Sequence, residues 1–406
     1  MKVLAFSQLP YRHLPEGFES HYDSVVTMPY HELVDRKLMH KDHVDFLDEL
    51  MHAARMGFDG LGTTEHSQNT YDILPNPNLQ MASLAYATHS EGLKPALCCV
   101  GRSLAKTREP LRVAEEYGVI DQISGGRLIA GFPVALSYDA NLNQGIPPIE
   151  TRNRFAENRA LIDKAWTSKE VFPWNGRYNK YPYVNLWPRP YQSPRPPVWS
   201  PAIGNPNTLG ALIDNDDAFL YLSWFGPKKT GPRVFNRYWE LVEEKGKALN
   251  PYRLAFMQCV AVANTDEEAH RLYGPHILNM FRTGLGSIPL PTLGLPGYVD
   301  IKGVEFLAKD PGDFGIVPRL RHIDYSEILD NQCVLVGSPA TVKQQLLEMA
   351  KNFRIGNLVL TIQLGSMPPE LSKMNIELLA KEVLPDLRKL WANDNWQHHW
   401  WPEGAA

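Results

Sequence analysis

Cysteine is scarce in this 406-residue chain: only Cys98, Cys99, Cys259 and Cys333 are present. The first three lie in apolar, strand-like runs, and the four make no disulfide framework. Neighbouring Cys98 and Cys99 would point to opposite faces of a strand, so they form no metal pincer. A reducing compartment is expected. Long apolar runs are missing too. None reaches the ~18 residues of a membrane span, and Met1–Leu9 lacks the stretch of a secretory leader, so a cytoplasmic location with no membrane partner is expected. Charge of one sign is also absent, with 41 Lys and Arg against 45 Asp and Glu for a net −4. Such a chain has no basic field for a phosphate backbone, which excludes nucleic acid as an expected partner. Histidines at strand ends are too few for a metal-dependent hydrolase, and no His-x-His follows the first strand. No repeat or low-complexity tract occurs.

What the chain does carry is an alternation of short β-type and longer helical runs, the signature of a parallel α/β fold. Strands are expected at Val3–Phe6, Phe58–Gly62, Pro95–Val100, Leu128–Gly131, Val198–Ala202, Phe219–Leu222, Ala255–Ala263 and Leu358–Ile362. Helices are expected at Asp42–Met56, Leu79–Thr88, Arg112–Ile123, Arg154–Trp166, Thr208–Ile213, Pro232–Lys247, Asp266–Met280, Thr341–Lys351 and Ser372–Leu390. Eight strand–helix units without a second core-sized block predict a single-domain (β/α)8 TIM barrel over residues 1–406. Two segments break the rhythm. An aromatic, proline-rich excursion covers about 172–197, and a Gly- and Pro-rich insertion at about 282–325 reads as a lid before the last strand. The tail, 391–406, carries tryptophans suited to anchoring it or to a subunit contact.

In such a barrel the active site forms from loops after the C-terminal strand ends. Glu65 and His66 follow the second strand. A histidine there can exchange protons near neutral pH, or it can cap a helix. The turn Ile203-Gly204-Asn205-Pro206-Asn207-Thr208 opens a helix, where free N–H groups can seat a phosphate or a side chain can simply cap them. Gly131 ends strand four, where a glycine allows a planar ligand or a tight turn to come close. Loop aromatics such as Tyr11, Trp174, Trp187 and Trp224 suit an apolar or aromatic small-molecule substrate.

The stretch from Pro110 to Arg127, ending Ile120-Asp121-Gln122-Ile123-Ser124-Gly125-Gly126-Arg127, resembles the hallmark segment of luciferase-like flavin monooxygenases. Thr64-Glu65-His66 resembles that family's Glu-His pair, and Val336-Gly337-Ser338-Pro339 is similar to its Gly-Ser/Thr-Pro helix start. The resemblance implies a TIM barrel that binds reduced FMN from a separate NAD(P)H:flavin reductase and oxygenates a small molecule with O2 through a flavin hydroperoxide. It also implies a homodimer. Carried over by position, Glu65 and His66 become the catalytic residues. Gly101, Arg102, Gly131 and Phe132 would border the flavin ring, and Ser200, Gly204, Asn205 and Thr208 would hold its phosphate end. The family's second histidine is replaced by Ser67. Its phosphate arginine after strand four is replaced by Phe132-Pro133-Val134, leaving Arg102 as the candidate cation. Two alternatives stand beside this reading: a deazaflavin-dependent dehydrogenase and a non-catalytic flavin-binding barrel.

Overall fold

A computed structural model describes the whole chain except Phe225, residues 289–293, residues 300–311 and Ala406, with only the backbone of 312–315. Eight parallel strands close into a ring: β1 (Lys2–Ser7), β2 (Gly60–Thr63), β3 (Ala96–Cys99), β4 (Leu128–Gly131), β5 (Val198–Ala202), β6 (Ala218–Leu222), β7 (Leu254–Val262) and β9 (Asn357–Thr361). Closure is direct, since Phe6 of β1 is in register with Thr361 of β9 on one side and Gly62 of β2 on the other. One strand of the main sheet was not expected: β8 (Val334–Gly337) pairs with the outer half of the long β7, Val334 opposite Cys259. Its four-residue apolar run is too short to show period-2 alternation and merges in the sequence with the helix start at Ser338.

The longer helices are α1 (Arg36–Arg55), α2 (Pro77–Ser90), α3 (Pro110–Ser124), α4 (Thr151–Thr167), α5 (Pro206–Asp214), α6 (Pro227–Glu244), α7 (Asp266–Leu278), α8 (Pro339–Phe353) and α9 (Pro369–Leu378). Six of them begin with proline, at residues 77, 110, 206, 227, 339 and 369. Proline's fixed φ suits the first helical position, and its missing N–H costs nothing there. The helix expected at Ser372–Leu390 is broken instead: α9 passes into a π-turn at Leu379–Val383 and a last turn at Leu384–Leu387. Pro385 is the physical reason, because it cannot donate to the preceding turn.

Alternate strand residues face opposite layers. Leu4, Phe6, Cys98, Ile129, Trp199, Leu220, Met257 and Val359 fill the barrel. Val3, Ala5, Cys99, Ala130, Val198, Phe219, Phe256 and Leu360 pack against the helices. Cys98 and Cys99 thus part as expected, and all four cysteines are buried and outside any disulfide. The excursion contains an antiparallel hairpin, Phe172–Asn175 with Lys180–Val184, and its later part lies along α3, where Gln122 Nε2 donates to Arg189 O at 3.0 Å. No helix among the described residues is long and apolar enough to cross a membrane.

The tail closes the N-terminal end of the barrel. Trp400 and Trp401 belong to the interior cluster. Trp199 Nε1 donates to Trp400 O at 2.9 Å, and Trp400 Nε1 donates to Asp216 O at 3.0 Å. Arg253 stacks on Trp400 at 4.7 Å while pairing with Asp216 at 3.0 Å. Replacing Trp400 by Ala removes a large buried ring and leaves a cavity, so the variant should lose about 3–5 kcal/mol of stability in urea unfolding. A loss below about 1 kcal/mol would mean that the tail does not seal the barrel.

Candidate functional site

Parallel strands put every strand's C-terminal end on one rim, so His66, Arg102, Gly131 and the Asn205–Thr208 turn open on the same face. The best-connected group on that rim surrounds His66. Its Nδ1 donates to Asp139 Oδ2 at 2.7 Å, which leaves Nε2 for a ligand or a proton. Asp139 Oδ1 accepts the Ser67 N–H at 3.1 Å. Tyr138 Oη lies 3.0 Å from His66 Nδ1 and donates to Tyr71 Oη at 2.6 Å. Burial pushes both phenols well above their usual pKa, so they act as neutral hydroxyls.

Glu65 serves the same site from below. It accepts from Arg102 Nη1 at 2.9 Å and from the Ser103 N–H at 2.7 Å. Lys106 Nζ lies 3.5 Å from Glu65, 3.8 Å from Asp139 and 3.2 Å from Ser67 Oγ. Two cations and two carboxylates therefore interlock in a nearly dry place, which is how buried charge is tolerated. Next to Tyr71, burial lifts the Asp72 carboxyl well above the usual range; one of its oxygens accepts the Leu74 N–H at 2.9 Å and the other has no partner.

The root of the first loop is fixed by Arg12, buried against α1. Its guanidinium reaches Asp42 and Asp45 at 3.5 Å each and also Glu49, and lies 4.1 Å over the Phe46 ring. Burial raises Glu49 to about 7 even with Arg12 beside it. Above this root the first loop meets the late insertion: Thr283 Oγ1 donates to Glu19 at 2.8 Å, and the Val25 N–H donates to Ser287 O at 3.2 Å. Farther along, Tyr298 Oη donates to Ala135 O at 2.6 Å, joining the insertion to the loop after β4. Of the insertion expected at 282–325, the described parts touch the first loop and the loop after β4, while residues 289–293 and 300–311 lie outside the described residues.

The other expected site residues divide. Gly101 and Gly131 lie side by side, but the neighbour they admit is backbone: a Cβ on Gly131 would fall 1.9 Å from Cys99 O, and one on Gly101 2.5 Å from Gly131 O. Phe132 points away from the rim into the helix layer, 1% exposed and packed with Tyr117 and Trp166. Ser200 likewise faces the helices, its Oγ donating to Asp217 at 2.8 Å beside the Arg159–Asp217 pair. Arg102 sits on the rim, but Glu65 and Glu116 hold its charge, so it is no free cation for a phosphate. Asn205 caps α5, accepting from the Asn207 N–H at 3.0 Å and from the Thr208 N–H at 3.4 Å. No acidic side chain occupies the first turn of α5, and the Thr208 N–H is only weakly held by the cap, which leaves this end able to receive an anion. Gly204, at φ 103°, supplies the bend before the cap.

Asp139, Tyr138, Tyr71 and Lys106 were not anticipated from the sequence. The available signal was position, since Tyr138 and Asp139 follow β4 as His66 follows β2.

Residues 31–353 match the family described as luciferase-like monooxygenase. The oxygenase component of flavin-dependent trigonelline monooxygenase of Acinetobacter baylyi is 29% identical over 188 residues, 45% of this chain and 50% of that protein. The 3,6-diketocamphane 1,6-monooxygenase of Pseudomonas putida is 24% identical over 371 residues, 82% of this chain and 90% of that protein. A solved structure of the oxygenating constituent of 3,6-diketocamphane monooxygenase, in complex with FMN, superimposes with a TM-score of 0.67 at 20% identity, covering 95% and 98% of the two chains. An F420-dependent secondary alcohol dehydrogenase superimposes with 0.64 at 15% identity, covering 95% and 99%.

Removing Glu65 takes the nearest carboxylate from Arg102 and Lys106, leaving only Glu116 at 4.0 Å and Asp139 at 3.8 Å. Glu65→Ala should cost about 3–5 kcal/mol in urea unfolding, because breaking a buried pair from one side leaves uncompensated charge. Glu65→Gln, which keeps an acceptor for the Ser103 N–H, should cost less; equal losses would show that charge is not what the site needs from this side chain.

Proposed function

Because the chain belongs to the luciferase-like monooxygenase family, we propose that it is the oxygenase of a two-component system, using reduced FMN from a separate reductase and O2 to oxygenate a small molecule. The observation that carries this reading is the covering of the rim: the first loop meets the late insertion at Thr283–Glu19 (2.8 Å) and Val25–Ser287 (3.2 Å), and Tyr298 ties the insertion to Ala135 (2.6 Å). Reduced FMN, when bound, supplies the electrons and the oxygen-reactive carbon from which one oxygen atom passes to substrate. The protein's own residues do the rest. The α5 start, from Asn205 to Thr208, receives the phosphate. Asp139 orients His66 so that Nε2 faces the ligand, where it accepts or gives a proton as charge develops on oxygen. Tyr138, whose Oη lies 3.0 Å from the same Nδ1, and Tyr71 remain neutral hydroxyls beside the imidazole. The first loop and the late insertion cover the site and keep water from the reactive centre.

Several features support assigning the reaction to this rim. The buried ion cluster is already compensated, so ligand binding need not disturb it. Similar overlap with an F420-dependent dehydrogenase keeps a deazaflavin-dependent hydride transfer as the second reading. Spectral titration with reduced FMN and with a reduced deazaflavin separates the two. The expected outcome is tight binding of FMN and incorporation of one atom of labelled O2 into product across a substrate panel; binding of the deazaflavin alone, with no labelled product, removes the oxygenase assignment.

His66→Ala should abolish product while leaving FMN affinity nearly unchanged, and unchanged turnover would take His66 out of the mechanism. Asp139→Asn keeps the shape but weakens the hold on the imidazole. Its kcat should fall by roughly 10²–10⁴-fold, the usual reach of general acid–base catalysis, with substrate KM changed little. A KM effect alone would make Asp139 a structural residue only.

A further inference from the structure

The charges around His66 pair unevenly. Glu65 is taken by Arg102 at 2.9 Å and by the Ser103 N–H at 2.7 Å. Lys106, on the same loop after β3, stands 3.5 Å from Glu65 and comes second to Arg102 there. Its side chain is 7% exposed, and its Nζ donates to Ser67 Oγ at 3.2 Å. That contact leaves the ammonium 3.8 Å from Asp139 Oδ1. Among the described residues, Lys106 is the one Lys or Arg within 4.0 Å of Asp139, whose other oxygen faces His66 Nδ1 at 2.7 Å.

The other groups around this pair bring no charge that could answer Asp139. On the loop after β2, burial keeps the Tyr71 phenol protonated and lifts the Asp72 carboxyl well above the usual range, so both are neutral. Tyr138, on the loop after β4, is neutral for the same reason. Tyr298 of the insertion, pushed up to about 12 by burial, donates to Ala135 O. Glu116 of α3 reaches Arg102 at 4.0 Å and accepts from Asn78 Nδ2 at 2.7 Å. Two cations, Arg102 and Lys106, thus meet two inner carboxylates, Glu65 and Asp139, and the group balances when His66 carries no charge. Without Lys106, the imidazole is the remaining source of positive charge for Asp139. A buried carboxylate with no counter-charge is costly, so it would draw a proton onto His66.

We propose that Lys106 is a positioning residue: its charge answers Asp139, so the His66 imidazole need carry none and keeps Nε2 open as an acceptor. The inference rests on the rim reading above and names the residue that sets the state of its histidine. Ser67 belongs to the same device, because its small hydroxyl seats the ammonium within reach of both Glu65 and Asp139.

Histidine titration in the full chain tests this without flavin. The imidazole nitrogens are followed by NMR in isotope-labelled protein, and His66→Gln identifies the His66 signals among the 13 histidines. In Lys106→Met the His66 midpoint should rise by about one pH unit or more, the usual effect of losing a nearby positive charge. Lys106→Arg, which restores that charge, should bring the midpoint back toward the parent. With reduced FMN and substrate, the limb of the kcat–pH profile that follows His66 should move the same way, with KM little changed. If Lys106→Met melts early, Lys106→Gln, which can still donate to Ser67, carries the same comparison. Lower stability with an unmoved His66 midpoint would make Lys106 structural only and overturn the proposal. So would a shift in Lys106→Arg as large as that in Lys106→Met. The expected shift in a chain that makes no oxygenated product would sustain the role of Lys106 and overturn the oxygenase reading alone.

Discussion

The site depends on one close approach of backbone to backbone. Strands β3 and β4 end so near each other that no side chain fits between them: Gly131 has Cys99 O where a Cβ would be, and Gly101 has Gly131 O. Tyr117 of α3 locks the junction, donating to Gly131 O at 3.0 Å and accepting the Arg102 N–H at 3.3 Å. With the chain pinned there, Arg102, Ser103 and Lys106 leave β3 in the direction of β2 and meet Glu65. The loop after β4 leaves at the same place and brings Tyr138 and Asp139 back over His66. A side chain at either glycine would part the strands and move both loops, a larger loss than any single hydrogen bond in the site.

Burial then decides what these groups can do. The ion cluster is held at fixed geometry by mutual compensation, and Glu65 and Asp139 are 4% and 1% exposed at the side chain. Such pairs add little net stability compared with apolar packing, but they are costly to break. Their value lies in direction. Asp139 has one oxygen on His66 and the other on the Ser67 backbone, so the imidazole has a single favourable orientation. Tyr71 and Tyr138, held neutral by burial, pass hydrogen bonds along without adding charge beside a developing anion.

The barrel was legible in the sequence because parallel α/β folds repeat a short apolar run and a longer amphipathic one, and all eight ring strands follow that rhythm. The rim position of Glu65 and His66 was legible because parallel strands put the residues after each strand on one face. Phe132 and Ser200 were misplaced for a related reason. The sequence shows where a strand ends but not which face its last residues take, and a shift of one residue turns a side chain from the barrel to the helices. Asp139 stayed hidden because its meaning is a contact 73 residues away. Arg102 was assigned to a phosphate on charge alone, and only the fold reveals that Glu65 and Glu116 already claim it.

Shared architecture is neutral between oxygen chemistry and hydride transfer, since one barrel hosts both. An imidazole oriented by a carboxylate serves either, because both reactions leave charge on an oxygen. The covering of the rim is less neutral. A reactive oxygen species must survive long enough to meet its substrate, and water is its chief competitor. Here the first loop is anchored by buried Arg12, tied to the late insertion at Glu19 and Val25, and the insertion is fastened across the mouth at Ala135. These links come from different strands and close different sides. A hydride passing directly between two stacked partners has less need of such sealing, so the roof, more than the rim, tilts the balance toward an oxygenase.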